Sequence, residues 1–198
     1  MTIYYDDDFQ RPYRQSRYSP LMQPYHPPLP ARSVPRRRVF YSFHFQADAW
    51  RAGQVRNMNL TEHDAPLTDN DWEQVRRGGD TAIRRWIDRQ MHGKSCLIVL
   101  IGEYTSARPW VQYEIKKAWT DGKGILGIHI HNLRNREGFQ SRKGANPLSN
   151  LSLGSRRLSE IAPTYDPQWF DSKDVYASIR NGMVDWVEQA IRIRSRYR

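Results

Sequence analysis

The sequence predicts a doubly wound α/β domain, with a mainly parallel five-stranded sheet flanked by helices. Three observations lead there. Apolar strand-like runs alternate with amphipathic helical stretches from residue 39 to residue 192. One run, Cys96-Leu97-Ile98-Val99-Leu100-Ile101, is unbroken, as in a strand covered on both faces of a parallel sheet. Glycine or proline stands at most junctions, including Gly93, Pro109 and Gly122. In such sheets ligands bind beyond the carboxyl ends of the strands, where strand order reverses. Function is therefore expected just after Phe43, Gly102 and Ile130.

Residues 1–36 read as a disordered arm. Prolines 12, 20, 24, 27, 28, 30 and 35 alternate with Tyr, Arg, Gln and Ser, and no helical or strand period survives. The domain is expected at residues 37–194, with a basic tail at 195–198. Residues 39–43 are aromatic and β-branched, a first strand. Residues 48–58 read as a weakly amphipathic helix, and residues 60–79 as a long loop with one short strand. Asp80 is placed to cap a helix whose Ile83, Trp86, Ile87 and Met91 share a face, ended by Gly93. The apolar strand at residues 95–102 follows. The next helix, residues 107–120, has Pro109 in its first turn and a stripe of Val111, Ile115, Ala118 and Trp119. Residues 125–130 form a strand, 132–155 a loop and 159–165 the last strand. A final helix over residues 173–192 turns Val175, Ile179, Met183, Trp186 and Ala190 inward. Trp86 and Trp186 are thus expected in the core, without function.

The net charge of +10 admits an anionic partner, but no nucleic-acid-reading motif stands behind it, so nucleic acid is not expected. The mean hydropathy of −0.83 fits a chain part of which stays outside any core. Cys96 is the single cysteine, which excludes an intrachain disulfide. Residues 1–8 do not resemble a secretory signal, and no apolar run approaches the ~20 residues of a membrane helix. A cytoplasmic protein with no membrane partner is the expectation. A Gly-rich dinucleotide fingerprint, a phosphate-binding loop and a nucleophile elbow are all missing. His129 and His131 bracket Ile130 and share a side of their strand. A metal pair is one reading; with no acidic or cysteine neighbour in sequence, a hydrogen-bonded structural pair is the favoured one, and no metal is expected.

Residues 106–115 carry the clearest chemistry. Trp110 and Glu114 lie four apart on one helix face, each one position before a core residue, Val111 or Ile115. Glu114 then stands at the edge of the buried stripe, half desolvated, able to engage a sugar hydroxyl or an incipient cation. The alternative is a surface glutamate paired with Lys117 or Arg108.

Beyond this, the strand Val39-Phe40-Tyr41-Ser42-Phe43-His44 resembles the first strand of Toll/interleukin-1 receptor (TIR) domains. Trp110-x-x-x-Glu114-Ile115 resembles the helix bearing the catalytic glutamate of their NAD⁺-cleaving members. The whole stretch is most similar to the TIR-like domains of Thoeris antiphage systems. The similar pieces are Phe43-His44, Asp48-Ala49-Trp50-Arg51, Gln54-Val55-Arg56-Asn57, Gly79-Asp80-x-Ala82-Ile83-x-x-Trp86-Ile87 and Val99-Leu100-Ile101-Gly102. They continue through Gly127-Ile128-x-Ile130-His131-Asn132-Leu133, Gly144-x-Asn146-Pro147 and Tyr165-Asp166. Phe43 stands where other TIR domains carry tyrosine, His44 replaces a basic or small residue, and residues 145–158 form a longer, more polar loop.

The resemblance implies a flavodoxin-like TIR fold and an enzyme that splits NAD⁺ at the nicotinamide–ribose bond. The ADP-ribose would be cyclised or transferred to give a signal for a downstream effector. It implies Glu114 as catalytic residue, Phe43, His44 and Trp110 as walls of the nicotinamide–ribose site, self-association, and no cofactor beyond NAD⁺ as substrate. Three readings of other classes remain: a non-catalytic TIR-like interaction module, a nucleoside-processing glycosyltransferase and, third, a basic-tailed nucleic-acid binder.

One prediction follows from sequence alone. Deleting the residues before Arg36 should leave the thermal midpoint within a few degrees, since ~1 kcal/mol moves a domain of this size only that far. A loss of about ten degrees or more would show that the arm is docked.

Overall fold

The computed structural model describes residues 36–63, 75 and 77–197. The expected arm, apart from Arg36, and most of the loop at residues 64–76 lie outside the described residues.

Four parallel strands make the main sheet. They are β1 (Val39–Ser42), β2 (Cys96–Ile101), β3 (Gly124–His129) and the short β6 (Thr164–Tyr165), in the spatial order β1-β2-β3-β6. A two-stranded antiparallel hairpin of β4 (Ser152–Leu153) and β5 (Arg156–Arg157) stands apart. Four α-helices are described: α1 (Phe45–Arg56), α2 (Gly79–Met91), α3 (Pro109–Thr120) and α4 (Ser172–Ser195). None is long and apolar enough to cross a membrane.

The parallel α/β class expected from the alternation is present. The fifth strand is not, among the described residues. Its place is taken by a single parallel bridge, Arg38 to Glu62, on the free side of β1. The amide of Val39 donates to the Glu62 carbonyl at 2.8 Å, and the amide of Glu62 to the Arg37 carbonyl at 2.9 Å. The chain leaves β1 to that side and returns across it to β2. Strand order therefore reverses between the carboxyl ends of β1 and β2.

Alternation along β2 sends Cys96, Ile98 and Leu100 into one apolar cluster and Leu97, Val99 and Ile101 into the other. The first cluster is closed by Ala52 and Val55 of α1 and by Val175, Ile179, Met183, Val187 and Ala190 of α4. The second is closed by Ile83, Ile87 and Met91 of α2 and by Val111, Ile115 and Ala118 of α3. All six residues of β2 are buried, as an unbroken apolar run demands.

Three local expectations change. The α2 N-cap is Gly78, without a side-chain cap, and Asp80 sits inside the first turn, where its carboxylate complements the helix dipole. The last strand shrinks to two residues because residues 158–160 wind into a 3₁₀ turn that drops Leu158 into the core. On α4 the buried position is Val187, whereas Trp186 is half-buried and stacks on Tyr165 with ring centroids 4.1 Å apart at 9°. A tryptophan keeps its polar N–H at a rim more readily than at a core centre. Trp86 likewise sits half-buried at the rim of the second cluster, beside buried Ile87. The end of the chain packs back on α3: the Arg194 guanidinium lies 4.4 Å from the Trp119 ring centroid, and Tyr197 meets the same indole at 5.7 Å.

β3 and α4 meet backbone to backbone. A Cβ on Gly124 would fall 2.7 Å from the Ile191 amide nitrogen and 2.9 Å from the Ala190 carbonyl carbon, both backbone atoms. Gly124→Ala should therefore destabilise by about 1–3 kcal/mol as α4 is forced outward. A urea titration should show a lowered midpoint with an unchanged slope.

Candidate active site

Ser42 closes β1 and is 1% exposed. Its hydroxyl donates to the Glu114 carboxyl at 2.5 Å across 72 residues of sequence. Glu114 lies on the second turn of α3, which the Pro109 start and the turn beyond β2 hold in place. In that turn the Gly102 amide donates to the Thr105 hydroxyl oxygen at 2.9 Å, and that hydroxyl donates to the Leu100 carbonyl at 3.4 Å. The side-chain amides of Gln112 and Asn150 both donate to the Ser106 carbonyl at 3.2 Å. The carboxyl is thus fixed at the point where strand order reverses.

Glu114 is buried more deeply than its position in the helix repeat suggests, at 8% exposure. The surface alternative fails: Lys117 pairs with Asp121 at 2.9 Å, and Arg108 donates to the Tyr104 carbonyl. Burial pushes the Glu114 carboxyl up to about 8, and the Ser42 hydroxyl partly offsets the rise by favouring the charged form.

The other expected residues divide. His44, directly after β1, lies edge-on to Tyr104, with ring centroids 6.4 Å apart, and its buried Nδ1 has no hydrogen-bond partner in the protein. Burial, helped by the Arg108 charge, holds its imidazole below the usual range, hence neutral. Phe43 packs on the α1/α4 side of the sheet and tilts over Phe45 at 6.4 Å. Trp110 packs with the α2/α3 cluster, and its ring meets Tyr113 edge-on at 6.1 Å. Ser42 and Glu114 therefore meet directly and His44 flanks β1's end, while Phe43 and Trp110 belong to opposite faces.

Sequence reading missed the support around this point. Asp48 and Arg51 of α1 form a buried ion pair at 3.1 Å, their side chains 1% and 5% exposed. Arg51 also donates to the carbonyls of Leu133 at 2.8 Å and Phe139 at 3.0 Å, so α1 grips the loop that follows β3. Asp48 lies against Gly102, and burial raises its carboxyl despite Arg51. The same loop crosses to β2, where a Cβ on Gly144 would fall 2.0 Å from the Gly102 carbonyl oxygen. The i, i+3 spacing of Asp48 and Arg51 was visible, but a charged pair on a weakly amphipathic helix reads as solvated surface.

The histidine pair also needs correction. His129 and His131 are not hydrogen-bonded to each other; their rings lie edge-to-face at 5.8 Å, and neither Nδ1 has a partner in the protein. Nor do they lack an acidic neighbour. Asp166, 35 residues beyond His131 in sequence, comes beside them because β6 pairs with β3. Burial pushes His129 down to about 4, against the pull of the Asp166 charge.

Comparison with known proteins places this geometry in context. Residues 40–135 match the family model described as Thoeris protein ThsB, TIR-like domain. A protein of Bacillus cereus (strain MSX-D12), named "Putative cyclic ADP-D-ribose synthase ThsB1", is 38% identical over 120 residues. That match takes in 58% of this chain and 62% of the Bacillus protein, so the chain spans less than two thirds of its relative.

The raised Glu114 carboxyl has a signature in stability. In the unfolded chain the group titrates near 4.5; in the fold it keeps its proton to about 8. The folded protein holds the extra proton between those values, so Glu114's favourable contribution is complete below about 4.5 and is lost as pH rises through about 8. Glu114→Gln, which cannot ionise, should match wild type at pH 5 and exceed it by a few kcal/mol near pH 9. Parallel denaturation curves at the two pH values measure this.

Proposed function

From the premise that this chain carries a TIR-like domain of the Thoeris family, we propose that it cleaves the nicotinamide–ribose bond of NAD⁺. The ADP-ribose part is then cyclised or transferred into a nucleotide signal of antiphage defence, read by a downstream effector. The observation that carries the proposal is the buried carboxyl of Glu114, held by Ser42 where the sheet reverses its strand order. The name of the Bacillus relative supports the substrate class.

In the reaction the ribose C1′–N bond breaks, both electrons leave with neutral nicotinamide, and the ribose becomes oxocarbenium-like. Glu114 as carboxylate stabilises that charge, and Ser42 fixes the direction of its oxygen, so little reorganisation is needed during the step. The free protein holds this group protonated at neutral pH. A nicotinamide cation bound beside it favours the charged form, so substrate binding itself prepares the carboxylate. His44, neutral and with an unpartnered nitrogen, borders the ribose end. Phe43 contributes to the wall through its place beside His44. Trp110 shapes the site by supporting the start of α3 rather than by lining the ring. Self-association completes the assembly.

The test is nicotinamide release from NAD⁺ by wild type and Glu114→Gln, both under the condition that activates wild type. The variant should lose about 10²–10³ in rate. Equal rates would remove Glu114 from the mechanism. Activated wild type that releases nothing would favour the interaction-module reading, and release of base from added nucleosides would favour the glycosyltransferase.

A further inference from the structure

We propose that His129, His131 and Asp166 form a binding site for one divalent transition-metal ion of the zinc class. The site does not depend on the NAD⁺ reading.

Topology builds it. His129 ends β3, and Ile128 and Ile130 turn into the α1/α4 cluster, so strand alternation sends His129 and His131 to the opposite side together. The last pair between β3 and β6 is Ile128 with Tyr165, and one step further brings Asp166 beside His129. One ligating atom from each of the three residues lies within 4.8 Å of the others. Ligands at zinc distances in a tetrahedron stand about 3.3–3.5 Å apart, so a contraction of at most about 1.5 Å would close the site.

The polar groups there are unsatisfied in a way that points to a ligand. His129 is 6% and His131 9% exposed, and the Nδ1 of each is buried without a hydrogen-bond partner in the protein. Asp166 Oδ1 is equally unpartnered, while its Oδ2 receives the Lys143 ammonium at 2.5 Å. Buried polar groups are ordinarily paired, and here each of the three clustered residues carries one that is not, which points to an occupant. Asp166 thus keeps one oxygen free for an ion while the other meets Lys143. Two imidazoles and one carboxylate favour zinc-class ions over magnesium or calcium, and leave a fourth position for water. Lys143 and Arg51 bring positive charge nearby, but the Lys143 side chain is 54% exposed and can move aside.

Cobalt(II) is the probe, because tetrahedral cobalt absorbs visibly where octahedral aqueous cobalt hardly does. Full-length protein titrated with cobalt(II), and then with competing zinc, should bind one equivalent with tetrahedral bands. Asp166→Asn and His131→Gln should each weaken binding by about tenfold or more. Circular dichroism of each variant checks the fold. Lys143→Met should bind as tightly as wild type or more so. Wild type that takes up no stoichiometric ion would overturn the proposal. So would variants that bind like wild type, since the ion would then sit on histidines elsewhere.

Discussion

The hydrogen bond from Ser42 to Glu114 ties together the first strand, the third helix and the candidate chemistry. A carboxyl at 8% exposure is unfavourable wherever it lies, and a charged one is far more so. The fold accommodates it by keeping the proton and giving one oxygen a hydroxyl partner. That arrangement needs Ser42 at the last position of β1, one pair beyond Tyr41–Ile98 in register with β2. It also needs α3 to start at Pro109, directly after the 3₁₀ turn of residues 105–107. A shift of one residue in β1 would send Ser42 to the other side of the sheet and leave the carboxyl unpaired.

Much of the frame was legible because it depends on period and on unbroken apolar runs. The strand at residues 96–101, the α3 stripe of Val111, Ile115 and Ala118, and the α4 residues Val175, Ile179, Met183 and Ala190 are where the pattern puts them. Where a period gives way to shape, sequence was less informative. Trp186 and Val187 are adjacent apolar residues on α4, and only the stacking partner Tyr165 decides which one faces inward. The last strand has too few residues to carry a period, and its length is set by the turn that buries Leu158.

The candidate site was legible only in half. Glu114 could be found from its spacing against Trp110 and from family resemblance. Its depth could not, because burial of a helix edge depends on what lies opposite, here Ser42. The Asp48–Arg51 pair was hidden for the same reason: a buried ion pair and a solvated one have the same spacing, and only the carbonyls of Leu133 and Phe139 distinguish them. Asp166 was the hardest to place. It lies 37 residues from His129, and strand pairing alone brings the two together.

These features share the carboxyl edge of one sheet, and the loop after β3 links them. Its first residues include His131; it then passes Leu133 and Phe139, which Arg51 holds, Lys143, which reaches Asp166, and Gly144, pressed against Gly102. Gly102 in turn begins the turn that sets Glu114. Close packing transmits displacement because buried contacts of this kind have little slack. Drawing His131 and Asp166 together around an ion would load the same loop that rests on Gly102. The histidine cluster and the turn that sets Glu114 are thus both contacted by a single chain segment.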